Sequence, residues 1–111
     1  METANAQCNI RVLEKHSNYV WVRGTTGRYW FDAKVYHVGS KRGISKGRIN
    51  KLLVWINTYK QGRSRWIATY DRGWDIQPDK NHRKSVEHII GLLEALPPPE
   101  ALVPSRKENP C

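Results

Sequence analysis

The chain has 111 residues, of which 39% are hydrophobic and five are Trp, and its 19 Lys and Arg against 10 acids give a formal net charge of +9. This length fits one domain with a modest core, and the aromatic content excludes a disordered basic tail. No apolar run approaches the roughly 18 residues of a membrane span, and the start resembles no secretory signal. We therefore expect a cytoplasmic protein without membrane contact.

The first predicted elements are a hairpin preceded by a weaker segment. Residues 8–14 alternate weakly between apolar and polar side chains, so residues 1–18 form either an edge strand or an irregular lead-in. Residues 19–23 are rich in Val and aromatics, and residues 28–38 alternate regularly, with Tyr29, Phe31, Ala33 and Val35 on one side. The Gly-bearing segment 24–27 lies between them, which predicts an antiparallel pair.

Two further strands and a helix follow. Residues 39–48 are polar and contain three glycines, so they are predicted to form a loop before an apolar strand at 49–56. Residues 58–63 have the composition of a turn, and a β-rich run follows at 66–70. Apolar side chains at 86, 89, 90 and 93 have helical spacing, and three consecutive prolines end that helix near Leu96.

The predicted fold is therefore α+β: a small antiparallel meander sheet of four to five strands, with one C-terminal helix packed on one face. A single domain spans residues 19–96, and residues 97–111 form a Pro-rich flexible tail. Strand residues such as Tyr29, Phe31 and Leu52 are expected to pack against the helix.

The charge is local. Between Arg23 and Arg65 the chain has eleven Lys or Arg and one acid, Asp32, so that segment carries +10 and the rest of the chain −1. A local excess of positive charge indicates a polyanionic or acidic partner. The loop at 39–48 could contact phosphate or could be a solvated loop, and it lacks the P-loop pattern.

Aromatic and basic side chains alternate on the predicted sheet face opposite the helix. Such a face suits single-stranded nucleic acid, because bases stack on rings while cations hold phosphates. The alternative is that Trp21, Trp30 and Trp55 cover a second hydrophobic face of a small sheet. The candidate binding residues are Arg23, Arg28, Lys34, Lys41, Arg42, Lys46, Arg48, Lys51, Trp21, Trp30, Tyr36 and Trp55.

Signals of catalysis and metal binding are weak. Asp32 and Lys34 share a strand face, as in some metal-dependent nucleases, but no further acids have a spacing suited to a divalent cation, so a surface ion pair is the preferred explanation. An enzyme of this kind would lose turnover in Asp32→Ala. No His and Cys residues have zinc-ligand spacing, so no metal and no cofactor is predicted. Cys8 and Cys111 are expected to be reduced thiols.

Several short motifs resemble a small uncharacterised domain of phage and prophage genes. They are Trp21-Val-x-Gly24, Tyr29-x-Phe31-x-Ala-Lys-Val-Tyr36, Gly43-Ile44, Gly47-Arg-Ile-x-Lys-Leu52 and Tyr70-Asp71-Arg-Gly-Trp-Asp75, within residues 21–76. The resemblance implies a mobile-element protein. That family has no established activity, so no functional residue is carried over.

The residues favour a non-enzymatic module that binds nucleic acid, either DNA or RNA, through its Lys/Arg and aromatic surface, and the resemblance implies a phage or mobile-element origin. The alternative is a protein-binding effector that contacts an acidic surface and modulates a host complex involved in defence or in handling nucleic acid. Both hypotheses depend on the same cations.

Overall fold

The computed structural model describes residues 8–58, 63–97 and 109–110. Six antiparallel strands form a meander in which each strand pairs with the next along the chain, and a two-residue strand, β7, lies beside β1 at the other edge. The elements are β1 (Cys8–Lys15), β2 (Tyr19–Thr26), β3 (Tyr29–Tyr36), β4 (Ile49–Thr58), β5 (Arg63–Asp71), β6 (Trp74–Ile76), α1 (Arg83–Glu94) and β7 (Asn109–Pro110).

The predicted α+β architecture with one C-terminal helix is confirmed, but the predicted strand number is too low. The segment at the start forms a strand that pairs with β2 on one side, and Asn109–Pro110 pair with part of its other side. The sixth strand arises because the chain reverses after Asp71 and adds Trp74–Ile76 to β5. In that turn Arg72, and not Gly73, has positive φ, at 60°.

Every second residue of the central strands points into the core. In β3 the side chains of Phe31, Ala33 and Val35 are fully buried, and their neighbours across the sheet are equally apolar. The helix covers this side through Val86, Ile89 and Leu93. We call this the inner face and the opposite side the outer face.

A bulge between β4 and β5 changes which residues of β5 face the core. Trp55 lies opposite Trp66, whereas Val54 lies opposite Ala68, so Ile67 is an extra residue on β5. Ile67 and Ala68 are therefore both buried, and Trp66 points to the outer face. Without the bulge a strict alternation from Trp66 would put Ala68 on the outer face as well.

Two polar contacts hold the start of the helix. The Asp79 carboxylate accepts hydrogen bonds from the backbone N–H groups of Asn81 and His82, at 2.9 and 3.2 Å. The His82 ring is buried, and its Nδ1 is 2.7 Å from the Tyr29 hydroxyl. Because Tyr29 belongs to β3, this hydrogen bond connects the helix to the sheet and satisfies a buried imidazole nitrogen.

The loop between β3 and β4 packs against the helix. It contains a short 3-10 turn, Ile44–Lys46, whose Ile44 side chain is buried in the core. The Tyr70 hydroxyl donates to the Arg42 carbonyl at 2.9 Å. Tyr70 lies on the inner face, so the predicted loop is ordered on the helix side of the sheet and not on the outer face.

Some predictions fall on residues outside the described ranges. The turn predicted at 58–63 includes 59–62, and most of the tail predicted at 97–111 is likewise outside; of that tail Asn109 and Pro110 pair with β1. The two thiol side chains are not among those described. Across the described ranges, no helix has the length and apolar character needed to cross a membrane.

Two glycine substitutions should change stability in opposite directions. At Gly24 an added Cβ would meet the Phe31 ring and lie 2.6 Å from the Asn9 carbonyl oxygen, so Gly24→Ala should lower the free energy of unfolding by about 2–3 kcal/mol. At Gly91, within the helix, a Cβ meets nothing within 4 Å, so Gly91→Ala should raise it by about 0.5–1 kcal/mol. Urea denaturation measures both, and equal effects would contradict the packing at Gly24.

Candidate functional site

The outer face combines aromatic, basic and acidic side chains from five strands. Its register is set by the strand pairs, which place Thr25, Trp30, Trp55 and Trp66 in one row across β2 to β5. A second row contains Arg11, Arg23, Asp32, Leu53, Thr69 and Ile76, and a third contains Trp21, Lys34, Lys51 and Asp71. No described element covers these rows, because α1 packs on the inner face.

Three tryptophans form a continuous aromatic strip, which we call the Trp row: Trp30, Trp55 and Trp66. The ring centroids of Trp30 and Trp55 are 6.2 Å apart with an interplanar angle of 19°, and those of Trp55 and Trp66 are 5.7 Å apart at 60°. Trp30 is 37% exposed and Trp66 50% exposed, while Trp55 between them is half-buried. Solvent therefore reaches both ends of the strip.

Arg23 is fixed beside the Trp row by a carboxylate. Its Nε donates to Asp32 Oδ1 at 2.7 Å and its Nη2 donates to Asp32 Oδ2 at 3.0 Å. Hydrogen bonding to the Asp32 carboxylate raises the pKa of Arg23, so this guanidinium stays charged at every physiological pH. Its central carbon also lies 5.9 Å from the Trp55 ring centroid, within the range of a cation–π contact.

The other cations of this face also contact neighbours. The Lys34 ammonium lies 4.3 Å from the Tyr19 ring centroid and 5.3 Å from that of Tyr36. The Lys51 ammonium is 3.9 Å from Asp71 Oδ2, and both side chains are well exposed. A loose pair of this kind contributes little to stability, so Lys51 can exchange its partner at low cost.

The structure does not bring all the predicted cations to one surface. Lys41, Arg42 and Lys46 are exposed on the β3–β4 loop, which packs on the helix side. The Arg28 guanidinium lies 5.6 Å from the ring centroid of Tyr29, a buried residue of the inner face. The outer face therefore contains Arg23, Lys34 and Lys51 of the predicted set, together with Trp21, Trp30, Tyr36 and Trp55.

Arg48 holds the end of the helix. Its Nε donates to the Tyr36 carbonyl at 2.7 Å, and its Nη1 donates to the carbonyls of Glu94 and Leu96 at 3.0 and 2.8 Å. The Glu94 and Leu96 carbonyls lie at the end of the helix and just after it, where carbonyl groups have no partners within the helix. We therefore assign Arg48 to the fold and omit it from the candidate surface.

Among the aromatic and basic residues of the outer face, sequence reasoning missed Trp66 and Arg11. The sequence predicts Trp66 only as part of a β-rich run, because the bulge at Ile67 breaks the alternation that would show which face Trp66 occupies. Arg11 lies opposite Arg23, and it belongs to the weakly alternating segment at residues 8–14, which the sequence alone does not identify as a strand. The alternation of Arg11 with the buried Ile10 and Val12 was the signal that could have identified it.

Asp32 and Lys34, the pair compared with nucleases, point to the same face but are used in other contacts. Asp32 accepts both hydrogen bonds from Arg23, and Lys34 lies over Tyr19. Among the residues that the structure describes, no three His, Cys, Asp or Glu side chains are grouped closely enough to hold a metal ion.

Comparison with known families matches the part of the chain that forms the sheet and the helix. A family described as a domain of unknown function, DUF7678, matches residues 20–94. The chain belongs to this family. No curated protein and no solved structure matches the chain significantly. The match extends beyond the predicted likeness at 21–76 to include the helix, and it agrees with an uncharacterised domain.

Arg48→Met should destabilise the protein by about 2–3 kcal/mol, because several carbonyl groups lose a charged donor. Urea denaturation gives this value. Arg83→Met removes an equally charged but exposed residue from the helix start, and it should change stability by less than about 0.5 kcal/mol. Equal effects of the two substitutions would contradict the structural role of Arg48.

Proposed function

We propose that the outer face binds single-stranded nucleic acid, with bases stacked on the Trp row and phosphates held by the adjacent cations. The observation that supports this most is the exposure of Trp30 and Trp66 on a surface that no described element covers, beside Arg23 and Lys34. If the tryptophans only covered a second hydrophobic face of the sheet, we would expect the rings at both ends of the row to be buried.

Stacking supplies affinity without sequence specificity. A base that stacks on an aromatic side chain contributes about 1–3 kcal/mol, and every base has a π-face to offer. In a duplex those faces already stack on one another, so an aromatic strip on an open sheet favours single strands. The proposed ligand is therefore single-stranded DNA or RNA, with little preference for sequence.

The electrostatic contribution should be moderate, because acids share this face. Asp32 pairs with Arg23, and Asp71 approaches Lys51. If Arg23, Lys34 and Lys51 each contact a phosphate, the slope of log K against log salt concentration should be about −2. A much steeper slope would indicate that cations elsewhere on the protein also bind.

The proposal includes a biological setting. The likeness to phage and prophage domains supports an origin in a mobile element, and a soluble module of this kind would act on nucleic acid in the cytoplasm. Neither point is needed for the binding chemistry, which depends only on the outer face.

Fluorescence anisotropy with labelled oligonucleotides tests the binding directly. Single-stranded DNA and RNA should bind more tightly than a duplex of the same length at low salt. Trp30→Ala and Trp66→Ala should each weaken binding about tenfold and cost less stability than a core substitution, because both rings lie at solvent-exposed ends of the Trp row. Absence of binding by any nucleic acid at low salt would refute the proposal.

A charge-matched pair of variants locates the binding surface. Arg23→Gln with Lys34→Gln should reduce the magnitude of the salt slope by about 1.4, since two phosphate contacts are lost. Lys41→Gln with Lys46→Gln removes the same charge from the loop on the helix side and should change affinity by less than about twofold. If both double variants weaken binding equally, net charge and not the outer face determines affinity.

The apolar residues of the same face support a second function, binding of a host protein. Leu53 lies within the outer face and Ile76 is 44% exposed, and stacking on bases requires neither of them. Exposed apolar groups beside Trp and Arg are typical of protein interfaces. In this case Ile76→Asp should abolish binding to the purified protein partner but leave the anisotropy assay unchanged.

A further inference from the structure

A cleft lies on the outer face where β1, β2 and β3 meet. It has a volume of about 260 Å³ and is lined by Arg11, Arg23, Gly24, Thr25 and Trp30. Two arginines therefore line a cleft beside Trp30, one of the two exposed ends of the Trp row. No residue of the described ranges that lines this cleft has a carboxylate side chain.

The geometry of Arg23 leaves its outer edge available to a ligand. A guanidinium has five N–H donors, and Asp32 accepts from Nε and from one Nη2 hydrogen. Asp32 does not use the Nη1 hydrogens or the second Nη2 hydrogen, which together form the fork that binds phosphate in a bidentate manner. Because Asp32 and Trp55 both restrain the guanidinium, little side-chain entropy remains to be lost on binding.

Arg11 and Arg23 are direct cross-strand neighbours. Both of them line the cleft, so an anion bound there would have two arginines within reach. Thr25 adds a hydroxyl group to the same cleft, and Trp30 adds an aromatic wall.

We propose that this cleft binds a phosphate group of the nucleic-acid backbone, with the adjoining base stacked on Trp30. The inference rests on the proposed function and adds a specific subsite to it. Arg11 and Arg23 bind the phosphate oxygens, and Asp32 acts as a positioning residue that orients Arg23. The bound nucleic acid then continues from Trp30 towards Trp55 and Trp66.

Nuclear magnetic resonance with small probes tests the subsite in the full chain. Titration with thymidine 5′-monophosphate should shift the side-chain N–H signals of Arg11, Arg23 and Trp30 together. Inorganic phosphate should shift the two arginine signals alone, and thymidine should shift neither arginine signal. Shifts that are spread over the cations of the loop and the helix would overturn the assignment.

Two substitutions with a matched control separate the roles. Arg11→Gln with Arg23→Gln should weaken binding of the monophosphate at least tenfold, whereas Lys41→Gln with Arg42→Gln, an equal loss of charge on the helix side, should leave it within about twofold. Equal losses in the two variants would refute the cleft.

Asp32→Asn tests the positioning role by the sign of its effect. It removes a negative charge near the phosphate, so simple electrostatics predicts tighter binding. If Asp32 orients Arg23, binding of the monophosphate should instead weaken about threefold or more, with the thermal midpoint measured alongside to confirm the fold. An increase in affinity would overturn the role of Asp32.

An oligonucleotide arm distinguishes failure of the cleft from failure of the proposed function. Hexathymidylate should shift Trp55 and Trp66 in addition to the cleft signals. If it shifts the Trp row but not Arg11 and Arg23, the cleft proposal is wrong and the function stands. If no oligonucleotide shifts the outer face, the proposed function is wrong, even where the monophosphate binds.

Discussion

One helix has to cover a sheet that has two sides. The helix has 12 residues and packs on the inner face, where Val86, Ile89 and Leu93 complete a core built from alternate strand residues. No second helix is present in the described residues to cover the outer face. That face must be compatible with water while it remains part of a small domain, and its composition follows from this constraint.

The outer face satisfies the constraint through contacts among its own side chains. Trp55 is half-buried between two other indoles, and Arg23 lies over it while paired with Asp32. Lys34 covers Tyr19 in the same way. Cations thus shield aromatic rings without burying them, so a ligand with its own π-faces and negative charges can replace water at this surface.

Much of the fold was predictable from local pattern. The regular alternation of β3 and the helical spacing of Val86, Ile89 and Leu93 each report burial on one side of a single element. The position of Arg48 was not predictable, because its role depends on carbonyl groups at the end of a helix 46 residues later in the chain. The prediction that the loop cations join the outer face was wrong for a similar reason. Burial of Ile44 holds the loop on the helix side, and the composition of the loop does not show on which side of the sheet it packs.

The candidate face was predictable only in part. The alternation of polar and apolar residues predicts that Trp30, Lys34 and Trp55 lie on the outer face. The position of Trp66 depends on one extra residue in β5, which sequence periodicity does not predict. A bulge depends on the register between two paired strands, so it can be identified only when their pairing is known.

The exposed indoles also affect the colloidal behaviour of the protein. Trp66 and Ile76 present apolar surface that could adhere to another molecule of the same chain, and a net charge of +9 keeps such molecules apart. Salt shortens the range of that repulsion to about 8 Å at physiological ionic strength but leaves the apolar surface unchanged. The concentration at which this protein stays monodisperse should therefore fall as ionic strength rises, the reverse of simple salting-in.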